Sequence, residues 1–134
     1  MQEEAEAQSA RREITTHYDG FGLNEQIIIR PGPPGPGGAA HLYNFVYRCA
    51  DGTEEPVGYL QFQEGPRNVE GSTCGLTAAA VIAALVDHLQ GFQKGPFSNR
   101  ETACTITKLE EADHWLRHRA QSRAARGVLG TYQK

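Results

Sequence analysis

The sequence predicts an α+β fold, in which a small N-terminal antiparallel β-sheet is followed by a C-terminal antiparallel two-helix hairpin. Two observations lead to this prediction. Residues 27–63 hold three short apolar segments separated by turn-forming residues, a pattern typical of strands. Residues 76–126 hold two long segments joined by a short Gly-Pro turn, a pattern typical of a helical hairpin.

The three strands are predicted to form a meander. The first is Ile27 to Arg30, and the PGPPGPGGAA that follows is expected to be an exposed loop, because proline cannot donate to a β-ladder. The second strand, His41 to Cys49, alternates at period two and puts its aromatic residues on one face. Asp51-Gly52 is the turn signal, and Val57 to Gln63 is the third strand.

The chain is predicted to be a single domain over residues 1–134 with three parts. Residues 1–17 are highly charged and lack a helical apolar stripe, so we expect a flexible arm there. Residues 18–66 are assigned to the antiparallel sheet. Residues 67–134 are assigned to a loop and the helical hairpin.

The first helix of the hairpin is predicted from Leu76 to Gln93, ending at Gly95-Pro96. Its first half is apolar on most sides, so we expect it to be buried by a second copy of the chain as well as by its own. The second helix is predicted to begin at a capping box formed by Ser98 and Glu101. It runs to about Arg126, with Gly127 as its C-terminal cap.

Composition restricts the classes of function. An apolar fraction of 39% is low for a self-sufficient globule, so oligomerisation is expected. A net charge of −3 and a pI near 5.9 argue against broad, non-specific nucleic-acid binding. No long apolar run or signal-peptide pattern occurs, so a cytosolic location is expected. The three cysteines have no CxxC spacing and favour free thiols over a disulfide framework.

Four arginines lie within residues 117–127, RHRAQSRAARG. At 100° per residue, Arg119 and Arg123 continue an apolar arc on the second helix, whereas Arg117 points away as an ordinary solvated charge. The arc is formed by Ile106, Leu109, Ala112 and Leu116. Two guanidinium groups at i, i+4 repel each other and favour an anion nearby. Alternatively, their stems pack on apolar surface, or they pair with Glu110, Glu111 or Asp113 of a second chain.

Phe92 lies at the end of the first helix and also has two interpretations. It is either a core aromatic residue that closes the hairpin or a stacking platform for a base, with the arginines supplying charge for phosphates.

Four segments resemble a known family: FQEGPRNVEG, DHLQGFQKGPF, NRETACTITKLEEADHWL and RHRAQSRAARGVLGT. Together they resemble the first type of phage-encoded Thoeris anti-defence sponge, whose C-terminal helical hairpin is shared with an anti-CBASS cyclic-nucleotide sponge. The resemblance covers roughly residues 18–134, and its C-terminal motifs are the most specific.

The resemblance implies a phage protein without catalytic chemistry that works in the cytoplasm of the infected bacterial host. Such proteins sequester cyclic ADP-ribose isomers made by TIR proteins, and some members also bind cyclic di- or trinucleotides. It further implies a homodimer or a hexamer built as a trimer of dimers, with pockets between chains. No cofactor, metal, DNA or membrane partner is implied.

Position by position, the resemblance assigns ligand-binding roles to Phe92, Arg119 and Arg123. Thr102 stands where the family has asparagine, and it keeps a hydroxyl but loses the two-sided bonding of an amide. Arg67 and Asn68 are further candidates from a family-like segment. Leu129, where the family has glutamate, is a second departure that bears on ligand preference.

Three alternative functions stay open. An enzyme that cleaves the same nucleotide could use His114 and His118 as metal ligands, with His88 or Asp113 as the third. A weaker enzymatic proposal pairs Cys74 with His41 or His88. A structural phage protein would use the hairpin only to dimerise. Direct DNA recognition is disfavoured by the acidic charge balance.

Overall fold

The computed structural model of the protein describes residues 12–134. The chain divides into two compact units, one ending at Glu64 and the other comprising Gly65–Lys134. The first unit holds a sheet and the second holds two helices. This arrangement confirms the predicted α+β class, while the assignment of both units to one domain stays a prediction.

The sheet has three antiparallel strands in the order β1-β2-β3, which confirms the predicted meander. The strands are β1 (Ile27–Pro31), β2 (Leu42–Arg48) and β3 (Glu54–Gln61). Ile28, which is 1% exposed, is opposite Val46 on β2. The aromatic residues Tyr43 and Phe45 lie half-buried on the alternate positions of β2.

β3 begins three residues earlier than the predicted start at Val57. The turn after β2 is closed by a hydrogen bond from the Cys49 N–H to the Thr53 oxygen (2.8 Å), so pairing with β2 starts at once with Glu54. Pro56 is accommodated because β3 is an edge strand and the register shifts between Phe45 and Val46. Proline is a poor marker of the end of a strand in such a position.

Residues 12–17, the described part of the predicted arm, lie along β1. Ile14 forms an antiparallel bridge with Ile29, and His17 Nε2 is 2.6 Å from the Ile27 oxygen. Residues 1–11 of the arm lie outside the described part of the chain.

Two arginines and two glutamates form an ion cluster that joins the N-terminal segment and all three strands of the sheet unit. The Arg30 guanidinium donates to both carboxylate oxygens of Glu54, at 2.6 and 2.7 Å, and to Glu13 at 3.2 Å. Arg48 lies 3.5 Å from Glu54 and 3.7 Å from Glu13. The bidentate geometry makes Arg30–Glu54 the strongest of these pairs.

The hairpin consists of α1 (Ala78–Gln93) and α2 (Arg100–Ala125). Thr77 caps α1 by accepting a hydrogen bond from the Ala80 N–H. α2 is capped by Asn99, whose side chain accepts from the Thr102 N–H at 2.8 Å. The predicted capping box at Ser98 is therefore wrong by one residue. Two hydrogen bonds between the Gln93 side chain and the Asn99 main chain hold this cap in place. Helix propensity does not predict this tertiary contact.

The seam between the helices differs from the arc predicted on α2. Half-buried or buried residues recur every three or four positions, at Thr102, Ile106, Leu109, Asp113, Leu116, Ala120 and Arg123. Ala112 and Arg119, predicted to face inward, are exposed. The seam is rotated by about 35° from the predicted arc, at 100° per residue. It keeps Arg123 and leaves Arg119 outside.

Within residues 12–134, none of the helices is long and apolar enough to cross a lipid bilayer.

The ion cluster predicts a pH-dependent stability. Hydrogen bonding to Arg30 lowers the pKa of Glu54 from 4.5 to about 2. Because the folded value is the lower one, the stabilisation is complete above about pH 4.5 and is lost as the pH falls through about 2. In Glu54→Gln, the free energy of unfolding should therefore fall less steeply between about pH 5 and pH 2 than in the wild type, as measured by urea denaturation. Glu55→Gln, on the same strand, should keep the wild-type slope. Equal slopes for Glu54→Gln and wild type would contradict the prediction.

The helix cap provides a second test. Asn99→Ala leaves an orphan N–H at Thr102 and should lower the free energy of unfolding by about 1 kcal/mol. Ser98→Ala should change it by no more than a few tenths of a kcal/mol, roughly the level of ordinary surface substitutions. Thermal denaturation of both variants distinguishes the two caps, and a larger effect at Ser98 would restore the predicted capping box.

Candidate anion-binding site

The C-terminal end of α2 carries a cavity of about 520 Å³ with a basic lining. It is lined by His118, Arg119, Ser122, Arg123, Arg126 and Lys134. The members at positions 118, 119, 122, 123 and 126 span an arc of about 140° at 100° per residue, so they share one face at the end of α2. Four of these side chains carry positive charge at neutral pH, which makes the cavity suitable for a phosphate-bearing ligand.

Arg123 bonds the segment that follows α2 through both its main chain and its side chain. Gly127, with φ of +72°, ends α2 as predicted, and the Val128 N–H donates to the Arg123 oxygen at 3.0 Å. The Arg123 side chain then donates from Nη2 to the Val128 and Thr131 oxygens, at 3.0 and 3.1 Å. Main chain and side chain of one residue therefore both hold the segment that follows the helix.

Arg119 is in a different situation, although the resemblance pairs it with Arg123. It is exposed, and among residues 12–134 no hydrogen bond or ion pair is assigned to its guanidinium. Its donors are directed at neither a carboxylate nor a main-chain oxygen in the described chain. Arg119 is therefore the guanidinium of the cavity most available to an incoming anion.

Phe92 and Thr102 lie at the other end of the hairpin. Phe92 is 45% exposed and meets His88 edge-on at a ring-centroid distance of 5.1 Å, so it is not the buried core aromatic of the alternative interpretation. Thr102 is half-buried in the first turn of α2. At about 1.5 Å per residue, Thr102 and Arg119 are about 25 Å apart along α2. One chain therefore does not bring the aromatic and the basic residues together.

Comparison with known proteins identifies the hairpin. Residues 59–121 match the family described as Acb2/Tad1, hairpin domain. "Thoeris anti-defense 1" of Bacillus phage SBSphiJ7 is 44% identical over 75 residues, which are 56% of this chain and 52% of that protein. The hairpin segment is therefore similar to the Acb2/Tad1 hairpin domain. The match therefore spans about half of this curated relative's length, and the family segment ends before Arg123.

Arg67 and Asn68 lie within the matched segment, in the loop before α1. Arg67 donates from Nη2 to the Gly75 oxygen at 3.0 Å and from Nη1 to Cys74 Sγ at 3.6 Å, so it braces its own loop. Asn68 is exposed. The Tyr132 hydroxyl lies over Gly65, where an added Cβ would be 2.7 Å from it, so the C-terminal residues contact this loop.

A second cavity, of about 630 Å³, lies between the two helices of the family hairpin. Small apolar residues such as Ala79 and Ala83 line its α1 side, and Glu110 and Asp113 line its α2 side. Arg117 also lines it, and its Nε donates to Asp113 Oδ2 at 2.6 Å. The Arg117 side chain is 75% exposed, which confirms the prediction of a solvated charge, and its i, i+4 partner Asp113 holds it at the rim.

The residues of the enzymatic alternatives are separated or engaged elsewhere. His118 lines the basic cavity, and His114 lines the second cavity, between the two helices. Both imidazole rings make edge contacts with Trp115. Within residues 12–134, no three His, Cys, Asp or Glu side chains are grouped to hold a metal ion. Cys74 accepts from Arg67, and the described cysteines are free thiols.

Sequence reasoning missed part of the basic cavity. Ser122 was not predicted, although its position three residues after Arg119 is a helical signal for the same face. Arg126 was predicted only to lie near that face. Lys134 reaches the cavity because the chain reverses after Gly127, and no sequence pattern indicates that contact.

Arg119 and Arg123 should respond differently to truncation. Arg123→Ala removes the donors to the Val128 and Thr131 oxygens and should lower the free energy of unfolding by about 1–3 kcal/mol. Arg119→Ala removes an exposed side chain and should change it by less than about 0.5 kcal/mol. Denaturant titration followed by Trp115 fluorescence measures both, and equal destabilisation would refute the assigned difference.

Proposed function

We propose that this protein is a phage anti-defence protein that binds and sequesters a cyclic immune-signalling nucleotide without degrading it. The proposed ligands are cyclic ADP-ribose isomers made by TIR proteins, with cyclic di- or trinucleotides as a second class. The proposed place of action is the cytoplasm of the infected bacterial host. The observation that carries the proposal is the basic cavity at the end of a hairpin whose sequence matches the Acb2/Tad1 hairpin domain.

The charges in that cavity fit a ligand with two phosphates. Arg119 has no competing partner among the described residues, and its planar guanidinium suits bidentate contact with phosphate oxygens. A net negative chain repels polyanions in general, so a local basic cavity favours a compact anion over long nucleic acid. These features support a small, doubly charged ligand.

The aromatic part of the proposed site comes from Phe92. Its exposed ring face could stack on a purine, an interaction worth about 1–3 kcal/mol per base. Thr102, in the adjoining first turn of α2, offers one hydroxyl to the same ligand. Because these residues lie about 25 Å from Arg119 along the helix, the proposal requires a second chain.

The proposed assembly is a homodimer, or a hexamer that is a trimer of such dimers. An antiparallel second copy would bring its own Arg119 and Arg123 to the Phe92 end of the first, creating two equivalent sites. The hairpin favours such a partner, because no residue of α1 is fully buried within the described chain. Burying Leu85 against another copy would add apolar stabilisation of about 25 cal/mol per Å².

The decisive experiment is recovery of intact ligand. Purified protein is incubated with a TIR-generated cyclic ADP-ribose isomer, unbound ligand is removed, and the protein is heat-denatured. Mass-calibrated chromatography of the released material should return the unchanged isomer. A cleaved product would support the enzymatic alternative. Retention of neither that isomer nor a cyclic oligonucleotide would overturn the proposed function.

Variants then locate the site. Arg119→Ala should weaken binding by about 10- to 100-fold, as expected for loss of a charge-assisted contact. Arg117→Ala is the matched control, because it removes an exposed arginine of the same helix that lines the other cavity. Equal losses in both variants would indicate a general electrostatic effect instead of a site.

A mixing experiment tests the two-chain geometry. Phe92→Ala and Arg119→Ala each damage one half of the proposed site, so each variant alone should fail to retain ligand. If the halves come from different chains, unfolding and refolding an equal mixture should restore about a quarter of the sites. No recovery, with normal assembly, would place both halves of the site on one chain.

A further inference from the structure

The residues after α2 form a short C-terminal strap, defined here as residues 128–134, which lies against the basic cavity. Val128 is 8% exposed and anchors the start of the strap. Thr131 donates from its N–H and Oγ1 to the Val128 oxygen, at 3.1 and 2.6 Å, which folds the strap into a tight turn. Beyond Val128, every strap residue is exposed.

The strap contacts two of the guanidinium groups that line the cavity. Arg123 Nη2 donates to the Val128 and Thr131 oxygens, and Arg126 Nη1 donates to the main-chain oxygen of Lys134 at 2.8 Å. These oxygens occupy donors that a phosphate would use. The strap therefore presents oxygen acceptors to the arginines in place of a ligand.

We propose that the C-terminal strap is a displaceable stand-in for the phosphates of the ligand, and that binding lifts residues 129–134 away from Arg123 and Arg126. The inference rests on the proposed function and adds a regulatory step to the same site. The Val128 and Thr131 oxygens are neutral, and hydrogen bonds to a charged phosphate oxygen are roughly twice as strong as those to a neutral acceptor. A phosphate can therefore replace the Thr131 oxygen, which lies in the part of the strap that moves.

The strap is anchored at Val128, so only the residues after it can move. Val128 is buried and its N–H completes the helix cap on Arg123, so it stays in place. Gly130 has φ of +76° and open space around it, which gives the exposed residues a pivot. The Tyr132 hydroxyl lies over Gly65, so displacement would also uncover the loop that holds Arg67 and Asn68.

Hydrogen exchange tests the displacement directly. The probe is inorganic pyrophosphate, which carries two phosphates and no base. In the full chain, saturating pyrophosphate should increase exchange at the amides of Thr131 and Gln133, which are protected by strap contacts. The amide of Val128 should stay protected and is the internal control. Unchanged or reduced exchange at Thr131 in pyrophosphate-saturated protein would overturn the strap proposal.

Two variants test whether the strap competes with ligand. A chain ending at Val128 with an amidated C-terminus keeps the helix cap, places no new carboxylate beside Arg123 and removes the competing oxygens beyond Val128. Gly130→Pro keeps the length but cannot adopt the positive φ, because proline fixes φ near about −65°. Both should bind the cyclic ADP-ribose isomer and pyrophosphate about tenfold more tightly than the wild type, as expected for removal of one competing charge-assisted contact. Far-UV circular dichroism confirms that the helices are intact.

The outcomes separate this inference from the proposed function. Wild-type retention of the nucleotide with equal or weaker binding by both folded variants overturns the strap and leaves sequestration standing. Pyrophosphate-induced exchange at Thr131 without retention of any cyclic nucleotide supports the strap and overturns the proposed function.

Discussion

The pairing of α1 and α2 at a half-buried seam is the constraint on which the hairpin depends. Because a helix rises about 1.5 Å per residue, a rigid α2 keeps its first turn about 25 Å from its basic cavity. No side-chain rearrangement within one chain closes that gap. The separation of Phe92 from Arg119 is therefore a property of the fold. A binding site that uses both residues would need a second chain.

Arg123 connects the seam, the helix terminus and the strap. Its main-chain oxygen accepts from Val128, while its guanidinium reaches the Val128 and Thr131 oxygens. The like-charge repulsion with Arg119 at i, i+4 is worth only a few tenths of a kcal/mol, about 0.2–0.5. Each hydrogen bond from a charged donor contributes about 1.5–3 kcal/mol, so the contacts of Arg123 outweigh the repulsion. Its half-burial also explains why structure and ligand could compete for the same donors.

Hydrophobic periodicity predicted the class of fold, the number of strands and the existence of both helices, because those features follow from local pattern. Periodicity did not predict which face of α2 is buried. It placed Ala112 and Arg119 on the inward arc, whereas the structure exposes them and half-buries Asp113 and Ala120. Asp113 is tolerated near the seam because Arg117 pairs with it at 2.6 Å. That pairing and the Gln93–Asn99 bonds depend on three-dimensional context.

Local sequence patterns likewise predict only part of the basic cavity. Arg119, Ser122, Arg123 and Arg126 share a helix face, so spacing alone groups them. The chain reversal at Gly127 was also predictable, since glycine after a helix favours a left-handed cap. The contacts of Thr131 and Lys134 with the arginines depend on where the chain goes next, and local propensity does not determine that path.

The distribution of burial gives a physical reason for slow ligand release in an assembly. Within the described residues, the buried apolar side chains are Ile28, Pro31, Ile106 and Val128, two in the sheet, one at the seam and one at the strap. The outer face of α1, with Leu85 and Phe92, is left for another surface to cover. If a second copy covers it, the phosphates of a ligand between the chains lose water and meet arginines in a lower dielectric, where each contact strengthens. On the proposed function, release of the ligand would then require loosening of the assembly or return of the Thr131 oxygen to Arg123.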